Sequence, residues 1–246
     1  MNNGGDFANL QMPEIKAKGR GDIVFVVDIT SSMTPCIEGV KESFKGFFSN
    51  LKKLGVSMDG EDVPWRIKFV TFKDLDCATD TEPKLDTDRP FVSSEEDVNR
   101  EIDSIEILKF QGCDEPESVW EAIYSAIRKS DWRPAEGKDR VHRVIVVFTD
   151  APPKTEFNTS VLLSEDMDMF DPKNVEDIIT FLYNLLAEEK VKIMLYAPEN
   201  EYYRKLCDNA YKGYYYSVGS EKDVYEGLKN VDYKSLFELL AKTISE

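Results

Sequence analysis

The chain has 246 residues, and its 47 acidic and 31 basic side chains give a formal net charge of −16. Hydrophobic residues make up 41% of the sequence, which is typical of a globular domain and excludes a disordered or collagen-like chain. Because one hydrophobic core can serve up to about 250 residues, the length favours one large domain. The negative charge disfavours binding to nucleic acid or to anionic membranes and favours cations or basic partners.

The N-terminal segment and the cysteines give no sign of export or membrane insertion. Residues 1–20 lack the apolar stretch of a signal peptide, and no apolar run reaches the roughly 18 residues of a spanning helix. Four cysteines are spread without a C-x-x-C pair, which favours reduced thiols and leaves a disulfide or a zinc site as alternatives. We therefore expect a cytoplasmic protein with a flexible leader over residues 1–20 and a single domain over 21–246. The cysteines are Cys36, Cys77, Cys113 and Cys207.

Strands and helices are predicted to alternate along the chain. Short apolar runs bounded by polar residues indicate strands, and apolar residues spaced by three and four indicate helices. In chain order we predict a strand at 22–28, a helix at 35–54, a strand at 65–72, an edge strand at 85–92, a helix capped by Ser93 or Ser94, a helix with Pro116 at its first position, a strand at 141–149, a helix at 175–186, a strand at 191–197, a helix at 202–210, an aromatic strand at 214–218 and a helix at 236–244. This order predicts an α/β fold with a doubly wound, Rossmann-like, mostly parallel central sheet of about six strands, flanked by helices, with one short antiparallel edge strand.

Three oxygen-rich segments are candidates for a functional site: a D-x-T-x-S pattern at the end of the strand at 22–28, a segment around Pro116, and the end of the strand at 141–149. Each alone has a simpler interpretation as an N-cap, a pair of helix-dipole partners or a turn. Because ligands of a doubly wound sheet bind beyond the carboxyl ends of its strands, we expect the three segments to converge. Their carboxylate and hydroxyl oxygens suit a hard cation such as Mg²⁺. The candidate metal-binding residues are Asp28, Thr30, Ser32, Asp114, Glu117 and Asp150.

These segments resemble the metal-ion-dependent adhesion site (MIDAS) of the von Willebrand factor A (VWA) domain family. The segment DIVFVVDITSSM is similar to the family's D-x-S-x-S motif, with Thr30 in place of the first serine. The segment GCDEPES resembles the G-x-D-x-P-E form seen in integrin β-subunit I-like domains and in many bacterial members, and FTDAPP resembles the third loop. The likeness extends from about Gly21 to the final predicted helix. On the basis of this resemblance, the chain is identified as a bacterial-type, intracellular VWA domain.

The resemblance implies a site for Mg²⁺ or Mn²⁺. It implies that Thr30 and Ser32 coordinate the ion through their hydroxyls, and that Asp28 and Asp150 hold it through water or directly. Glu117 would supply the carboxylate of the second loop. In the family, such an ion recognises an Asp or Glu of a partner protein, so the resemblance implies a non-enzymatic adhesion or scaffold module.

Asp114 carries a separate implication. In the integrin β-like form the corresponding acid helps to build a neighbouring metal site, and here Gly112 replaces the asparagine that usually assists there. By analogy with free bacterial members of the family, the partner would be a protein such as an ATPase, a kinase or a component of a stress or defence system. Nucleic acid and membranes are not expected as partners.

Loops beside the predicted site are expected to select the partner, namely residues 74–76 and 155–172. Within the second, the acidic stretch 164–171 is interpreted as a solvated, mobile loop whose apolar side chains contact a partner. A calcium site is the alternative, but the stretch lacks the glycine and the terminal glutamate of an EF-hand. The apolar side chains are Met167, Met169 and Phe170.

Two other functions stay open. An aspartate after the first strand of a doubly wound sheet also begins haloacid-dehalogenase-like phosphatases, so a Mg²⁺-dependent phosphoryl-transfer hydrolase is one alternative. Those enzymes use a D-x-D pair, whereas Thr30 holds the second position here. The other alternative is a structural subunit with a vestigial metal site. Dinucleotide binding is excluded because the loop after the first strand has no G-x-G-x-x-G pattern.

Overall fold

A six-stranded sheet forms the centre of the fold. The computed structural model describes residues 19–34, 37–39, 41, 65–76, 85–106, 116–134, 140–219, 231–232 and 235. The strands are β1 (Gly19–Asp28), β2 (Trp65–Phe72), β3 (Leu85–Asp86), β4 (Arg140–Phe148), β5 (Val191–Ala197) and β6 (Gly213–Ser217). Their spatial order is β3-β2-β1-β4-β5-β6, and neighbouring strands are parallel except for β2 with β3. The predicted fold class is confirmed.

The apolar run of β1 is buried on both faces of the sheet. Ile23, Phe25 and Val27 pack into one hydrophobic core, and Val24 and Val26 pack into the other. None of the five side chains is more than 2% exposed. Because successive side chains of a strand point to opposite faces, a sheet with a core on each side requires such a continuous apolar run.

Four α-helices have their bounds within the described residues: α1 (Glu95–Asp103), α2 (Val119–Arg128), α3 (Val175–Glu188) and α4 (Glu201–Asn209). Ser94 caps α1 as predicted, since its Oγ accepts a 3.0 Å hydrogen bond from the backbone N of Asp97. Buried side chains of α1 pack into the core of Phe25, and those of α2, α3 and α4 pack into the core of Val24. In the described part of the chain, no helix has both the length and the apolar character needed to cross a bilayer.

The predicted start of α2 is wrong. The helix begins at Val119, with Ser118 as its N-cap, and Pro116 does not occupy its first position. The reason is a tertiary contact: the backbone N of Glu117 donates to the carbonyl O of Pro152 at 3.2 Å. This pairing with the loop after β4 keeps the chain out of the helix until Ser118.

The predicted edge strand at 85–92 is also wrong in its extent. β3 ends at Asp86, and Val92 pairs separately with Ile67 through two backbone hydrogen bonds of 2.7 Å. The residues between them make no ladder with β2. The edge of the sheet is therefore covered by two short pairings and not by one strand.

Several predictions fall outside the described residues. The leader is described only at Gly19 and Arg20, which begin β1, and the helix at 35–54 only at 37–39 and 41, which are helical. The helix at 236–244 also lies outside. Cys207 is described and is a free, buried thiol, whereas Cys36, Cys77 and Cys113 lie outside.

The strand order places a crevice between β1 and β4. From β1 the chain passes to β2 and β3 on one side of β1, and it then crosses to β4 on the other side. The loops that leave β1 and β4 therefore run in opposite directions, which defines the topological switch point where doubly wound folds bind their ligands.

Strand β6 lies close against α4. As predicted it is aromatic, and Tyr216 stacks on Tyr196 of β5 with ring centroids 4.6 Å apart. A Cβ atom added at Gly213 would lie 2.1 Å from the carbonyl O of Cys207 and 2.7 Å from its Cα. These are backbone atoms of α4. Only glycine, which has no Cβ, therefore allows the helix and the strand to approach this closely.

The substitution Gly213→Ala is expected to lower the free energy of unfolding by about 1–3 kcal/mol, because the strand or the helix must move to admit the methyl group. Urea denaturation followed by circular dichroism measures the change. Tyr214→Ala is the matched control, since Tyr214 is the next residue and is 46% exposed. Equal stability of Gly213→Ala and the unmodified chain would show that α4 and β6 are not closely packed.

Candidate metal centre at the switch point

The loop after β1 directs its polar side chains to one place. Asp28, the last residue of β1, is buried, and its Oδ1 accepts hydrogen bonds from the backbone N of Thr30 at 2.9 Å and from Thr30 Oγ1 at 2.7 Å. Thr30 Oγ1 lies 3.3 Å from Ser32 Oγ. The spacing of two in D-x-T-x-S therefore brings one carboxylate and two hydroxyls together.

The end of β4 supplies the second part of the cluster. Thr149 Oγ1 donates a 3.0 Å hydrogen bond to Asp28 Oδ2, so Asp28 accepts hydrogen bonds on both oxygens. Asp150 is 6% exposed, and its carboxylate is hydrogen-bonded to the side chain of Ser32. Thr149 was not among the predicted site residues. The signal that could have found it is a hydroxyl directly before Asp150.

Glu117 brings the third carboxylate. Its side chain is only 4% exposed, because its backbone pairs with Pro152 and Pro153 in the loop after β4. Within the described part of the chain, Glu117 Oε2 is buried without a hydrogen-bond partner. An acceptor oxygen that is removed from water and makes no hydrogen bond costs stability, unless a cation or an ordered water satisfies it. This oxygen fits the ligand set of a bound cation.

The two buried acids of β1 have partners of different kinds. At the amino end, Asp22 makes ion pairs with Arg66 at 2.9 Å and with Arg133 at 2.7 Å. At the carboxyl end, Asp28 receives hydroxyl and amide hydrogen bonds from Thr30 and Thr149. A buried charge is normally paired or bound to a metal. The contrast between the two ends indicates that the cluster around Asp28 is built for a cation from solution.

The carboxyl groups of the cluster resist ionisation. Burial, reinforced by the charge of Asp150, raises the pKa of Asp28 to about 7. Burial and the charge of Asp28, followed by those of other carboxylates, raise the pKa of Glu117 to about 8. Burial also raises the pKa of Asp150, against the opposing hydrogen bond from Ser32. A divalent cation would favour the ionised forms of all three.

Lys154, in the loop after β4, makes ion pairs with an acidic loop beside this cluster. Its Nζ contacts the carboxylate of Asp74 and lies 2.5 Å from Asp76 Oδ2. Asn158 Nδ2 donates to Asp76 Oδ1 at 2.7 Å, and the charge of Lys154 offsets part of the rise in the pKa of Glu117. Loop 74–76, predicted to select the partner, thus borders the cluster. Sequence reasoning missed Lys154, although it is the one basic residue between Asp150 and Pro172.

The prediction that the acidic stretch 164–171 is solvated is wrong at one of its residues. Asp166 is 2% exposed, and its carboxylate pairs with Arg128 at 3.0 Å and accepts a 2.7 Å hydrogen bond from Tyr124 OH. The prediction fails at Asp166 because Arg128, at the end of α2, reaches the loop. Met167 and Met169 are exposed as expected.

The six predicted metal-binding residues divide into two groups. Asp28, Thr30, Ser32, Glu117 and Asp150 lie around the switch point, whereas Asp114 falls outside the described residues. Among the residues that are described, no three His, Cys, Asp or Glu side chains are arranged to hold a metal ion by themselves. A cation at the cluster would therefore need the hydroxyl oxygens as well as the carboxylates.

This fold and this cluster define a class of protein: a doubly wound α/β domain that gathers carboxylates and hydroxyls at the carboxyl ends of its central strands. The family model described as "von Willebrand factor type A domain" matches residues 22–226. The chain therefore belongs to the VWA family, which confirms the identification made from its motifs. The bacterial type and the G-x-D-x-P-E form of the second loop stay predictions.

Solved structures with the same fold come from proteins of very different sources. Proximal thread matrix protein 1 from the mussel byssus shares 15% identity with a TM-score of 0.53, over 92% of this chain and 47% of that chain. A second structure of it, "with zinc occupied MIDAS motif", shares 16% identity with a TM-score of 0.50, over 91% and 47%. The pilus adhesin SpaC from Lactobacillus rhamnosus GG shares 12% identity with a TM-score of 0.55, over 92% and 30%. This chain thus spans less than half of each protein, and no curated sequence matches it significantly.

Proposed function

We propose that this chain is a non-enzymatic protein-binding module that recognises an acidic residue of a partner through a divalent cation. The observation that carries the proposal is Glu117 Oε2, a buried carboxylate oxygen without a hydrogen-bond partner among the described residues. It belongs to the cluster at the switch point, where three buried carboxyl groups and the hydroxyls of Thr30 and Ser32 lie. A MIDAS motif occupied by zinc in the mussel protein of the same fold supports a metal at this position.

The residues that would hold the ion are those of the cluster. Thr30 and Ser32 would offer hydroxyl oxygens, and Asp28, Glu117 and Asp150 would offer carboxylates. An all-oxygen set favours Mg²⁺ or Mn²⁺ over zinc, which prefers nitrogen and sulfur ligands. When bound, such a cation supplies a positive centre that can accept a carboxylate from another protein.

The surroundings of the cluster favour a partner that is basic around its key acidic residue. Glu156 is exposed on the loop after β4, and the chain as a whole carries a net charge of −16. Rim charges of this kind steer association and suppress wrong partners more than they add affinity. An ATPase, a kinase or a stress or defence component as partner, and a cytoplasmic location, stay predictions from the sequence.

The hydrolase alternative has less support from the residues around β1. A nucleophilic aspartate needs an oxygen that substrate can reach, but Asp28 is 0% exposed and both its oxygens accept hydrogen bonds. Thr30 stands where the phosphatases place a second acid. Turnover of a generic phosphoester that survives purification and is lost in Asp28→Asn would overturn the non-enzymatic proposal.

Capture of a partner tests the proposal. The tagged chain is expected to retain a partner from a lysate of its native host in Mg²⁺ and to release it in excess chelator, whereas a Ser32→Ala chain retains much less. Ser160→Ala is the matched control, because it removes an exposed hydroxyl from the loop after β4 and leaves the cluster intact. Capture that persists in chelator would contradict cation-dependent recognition.

A further inference from the structure

A groove runs along α3, apart from the cluster at the switch point. It has a volume of about 310 Å³, and it lies between α3 and the end of the acidic loop. We call it the α3 groove and define it by Met169, Phe170, Phe181 and Leu185 together with Asp177 and Glu188, which line it. Arg128, which also lines it, is the last residue of α2, whereas Glu117 precedes the first. Ten helical residues span about 15 Å, so the groove is a separate surface.

The floor of the α3 groove is built in advance. Phe170 stacks on Phe181 with centroids 4.4 Å apart, and it meets Phe157 edge-on at 5.3 Å. The ion pair of Asp166 with Arg128 fixes the loop that carries Phe170. A partner would therefore not have to order this loop, and that saving favours binding.

Apolar side chains at the groove are open to solvent. Met169 is 65% exposed, and Met167, two residues earlier, is 53% exposed. Methionine is unbranched and polarisable, and it is used where one surface must fit a partner's side chains. Met169 thus adds an exposed apolar side chain beside the aromatic floor, in which Phe181 is 8% exposed.

The charge around the α3 groove is negative. Asp177 and Glu188 line it, and the adjoining loop carries the exposed acids Glu165 and Asp168. The guanidinium of Arg128 is already engaged, because it pairs with Asp166 at 3.0 Å and also contacts Glu188 and Glu189. One arginine thus faces three carboxylates, those of Asp166, Glu188 and Glu189, and Asp177 adds a further negative charge to the rim.

The shape of the α3 groove follows one helical stripe. Its α3 residues recur at spacings of three and four, from Asp177 through Phe181 and Leu185 to Glu188. Such residues share one face, and eleven residue steps of helix extend about 16 Å. A groove of this length matches about three turns of a partner helix.

We propose that the α3 groove binds a basic amphipathic helix of a partner protein. Leucine, methionine or phenylalanine side chains of that helix enter between Met169 and Phe181, and its lysine or arginine side chains pair with Asp177 and Glu188. This is recognition of an amphipathic helix in an apolar groove, with charge complementarity at the rim. It requires no cation at the switch point, so it stands or falls separately from the proposed metal-dependent function.

The test uses the full chain and a synthetic fluorescent helix of leucine and lysine, about 12 residues or three turns long. Fluorescence anisotropy is expected to show saturable binding that Mg²⁺ and chelator leave unchanged, and no binding of the same peptide with glutamate in place of lysine. Met169→Lys is expected to weaken binding by about tenfold or more, and Asp177→Lys is expected to act in the same direction. Tyr211→Lys is the matched control: it adds the same charge at a side chain that is 52% exposed and does not line the groove.

Methyl NMR of ¹³C-labelled methionines locates the peptide. The signals of Met167 and Met169 are expected to shift on binding, while those of buried Met33 and Met194 stay in place. Equal affinity of Met169→Lys and the unmodified chain would overturn the proposal. So would a Met169 signal that shifts with protein concentration in the absence of peptide, which would assign the groove to a second copy. A third result would also overturn the proposal, namely a Met169 signal that differs between the unmodified chain and a Leu10→Glu chain in the absence of peptide. It would assign the groove to the chain's own N-terminal segment.

Discussion

Replacing Glu117 with glutamine is expected to weaken Mn²⁺ binding by about tenfold to a hundredfold, which corresponds to about 1.4–2.8 kcal/mol. Glutamine keeps the size of the side chain and removes its charge, so the change acts on the ligand set and not on packing. The buried Oε2 of Glu117 is the oxygen that would be lost as a charged ligand. Titration of Mn²⁺ followed by electron paramagnetic resonance measures the free ion directly.

A matched control and a second variant of the cluster accompany this prediction. Glu156→Gln makes the same change of charge at an exposed residue in the loop after β4, and its affinity is expected to stay within about twofold. Ser32→Ala, which removes a hydroxyl of the cluster, should weaken binding as Glu117→Gln does. Unchanged affinity in Glu117→Gln, with the variant folded, would exclude Glu117 as a ligand.

The metal-free chain is expected to lose stability as the pH rises from about 4 to about 8. In the folded chain the pKa of Asp28 is about 7 and that of Glu117 about 8, against 3.8 and 4.5 as ordinary values. The folded state therefore holds protons that the unfolded state releases in this window, and unfolding becomes easier by about 1.4 kcal/mol per pH unit for each such proton. The stability these groups contribute is complete below about pH 4 and is lost as the pH passes their folded pKa values.

Divalent cations are expected to reverse this loss. Because a cation binds the ionised carboxylates, the stabilisation by Mg²⁺ should grow with pH over the same window and be small at its acidic end. Urea denaturation at a series of pH values, in chelator and in Mg²⁺, measures both effects. A stabilisation by Mg²⁺ that is independent of pH would contradict the prediction.

Glu121 of α2 contributes to the same pH dependence without belonging to the cluster. Burial raises its pKa to about 7, against the hydrogen bond from the backbone N of Asn158. The slope of stability against pH should therefore become shallower in Glu117→Gln but not vanish. A slope unaffected by Glu117→Gln would show that Glu117 is not the group that titrates.

The sequence was sufficient for the central buried strands and for part of the cluster. An apolar run such as the one in β1 can be satisfied only inside a sheet with a core on both faces, so its burial follows from local pattern. The hydrogen bonds from Thr30 to Asp28 join residues two apart, and they depend on the turn and not on the rest of the fold. Asp150 could be placed beside them because parallel strands end at a common edge.

Contacts between distant segments were beyond the reach of local pattern. Thr149 reaches Asp28 across 121 positions, and Lys154 reaches Asp74 across 80, so both depend on the order and register of the strands. Helix α2 starts at Val119 and not at Pro116 because Glu117 pairs with Pro152, and the spacing of apolar residues along the sequence does not reveal that partner.

The α/β fold, the VWA motifs and most of the residues of the cluster follow from the sequence, because they rest on periodicity and on spacings of a few residues. Three features depend on how the chain folds in space: the burial of the carboxyl groups, the lack of a hydrogen-bond partner for Glu117 Oε2 among the described residues, and the pairing of Asp166 with Arg128 beside the α3 groove. The physical reason is that burial and the compensation of charge are set by which segments meet. That is fixed by the order β3-β2-β1-β4-β5-β6 and by the path of the loops between these strands.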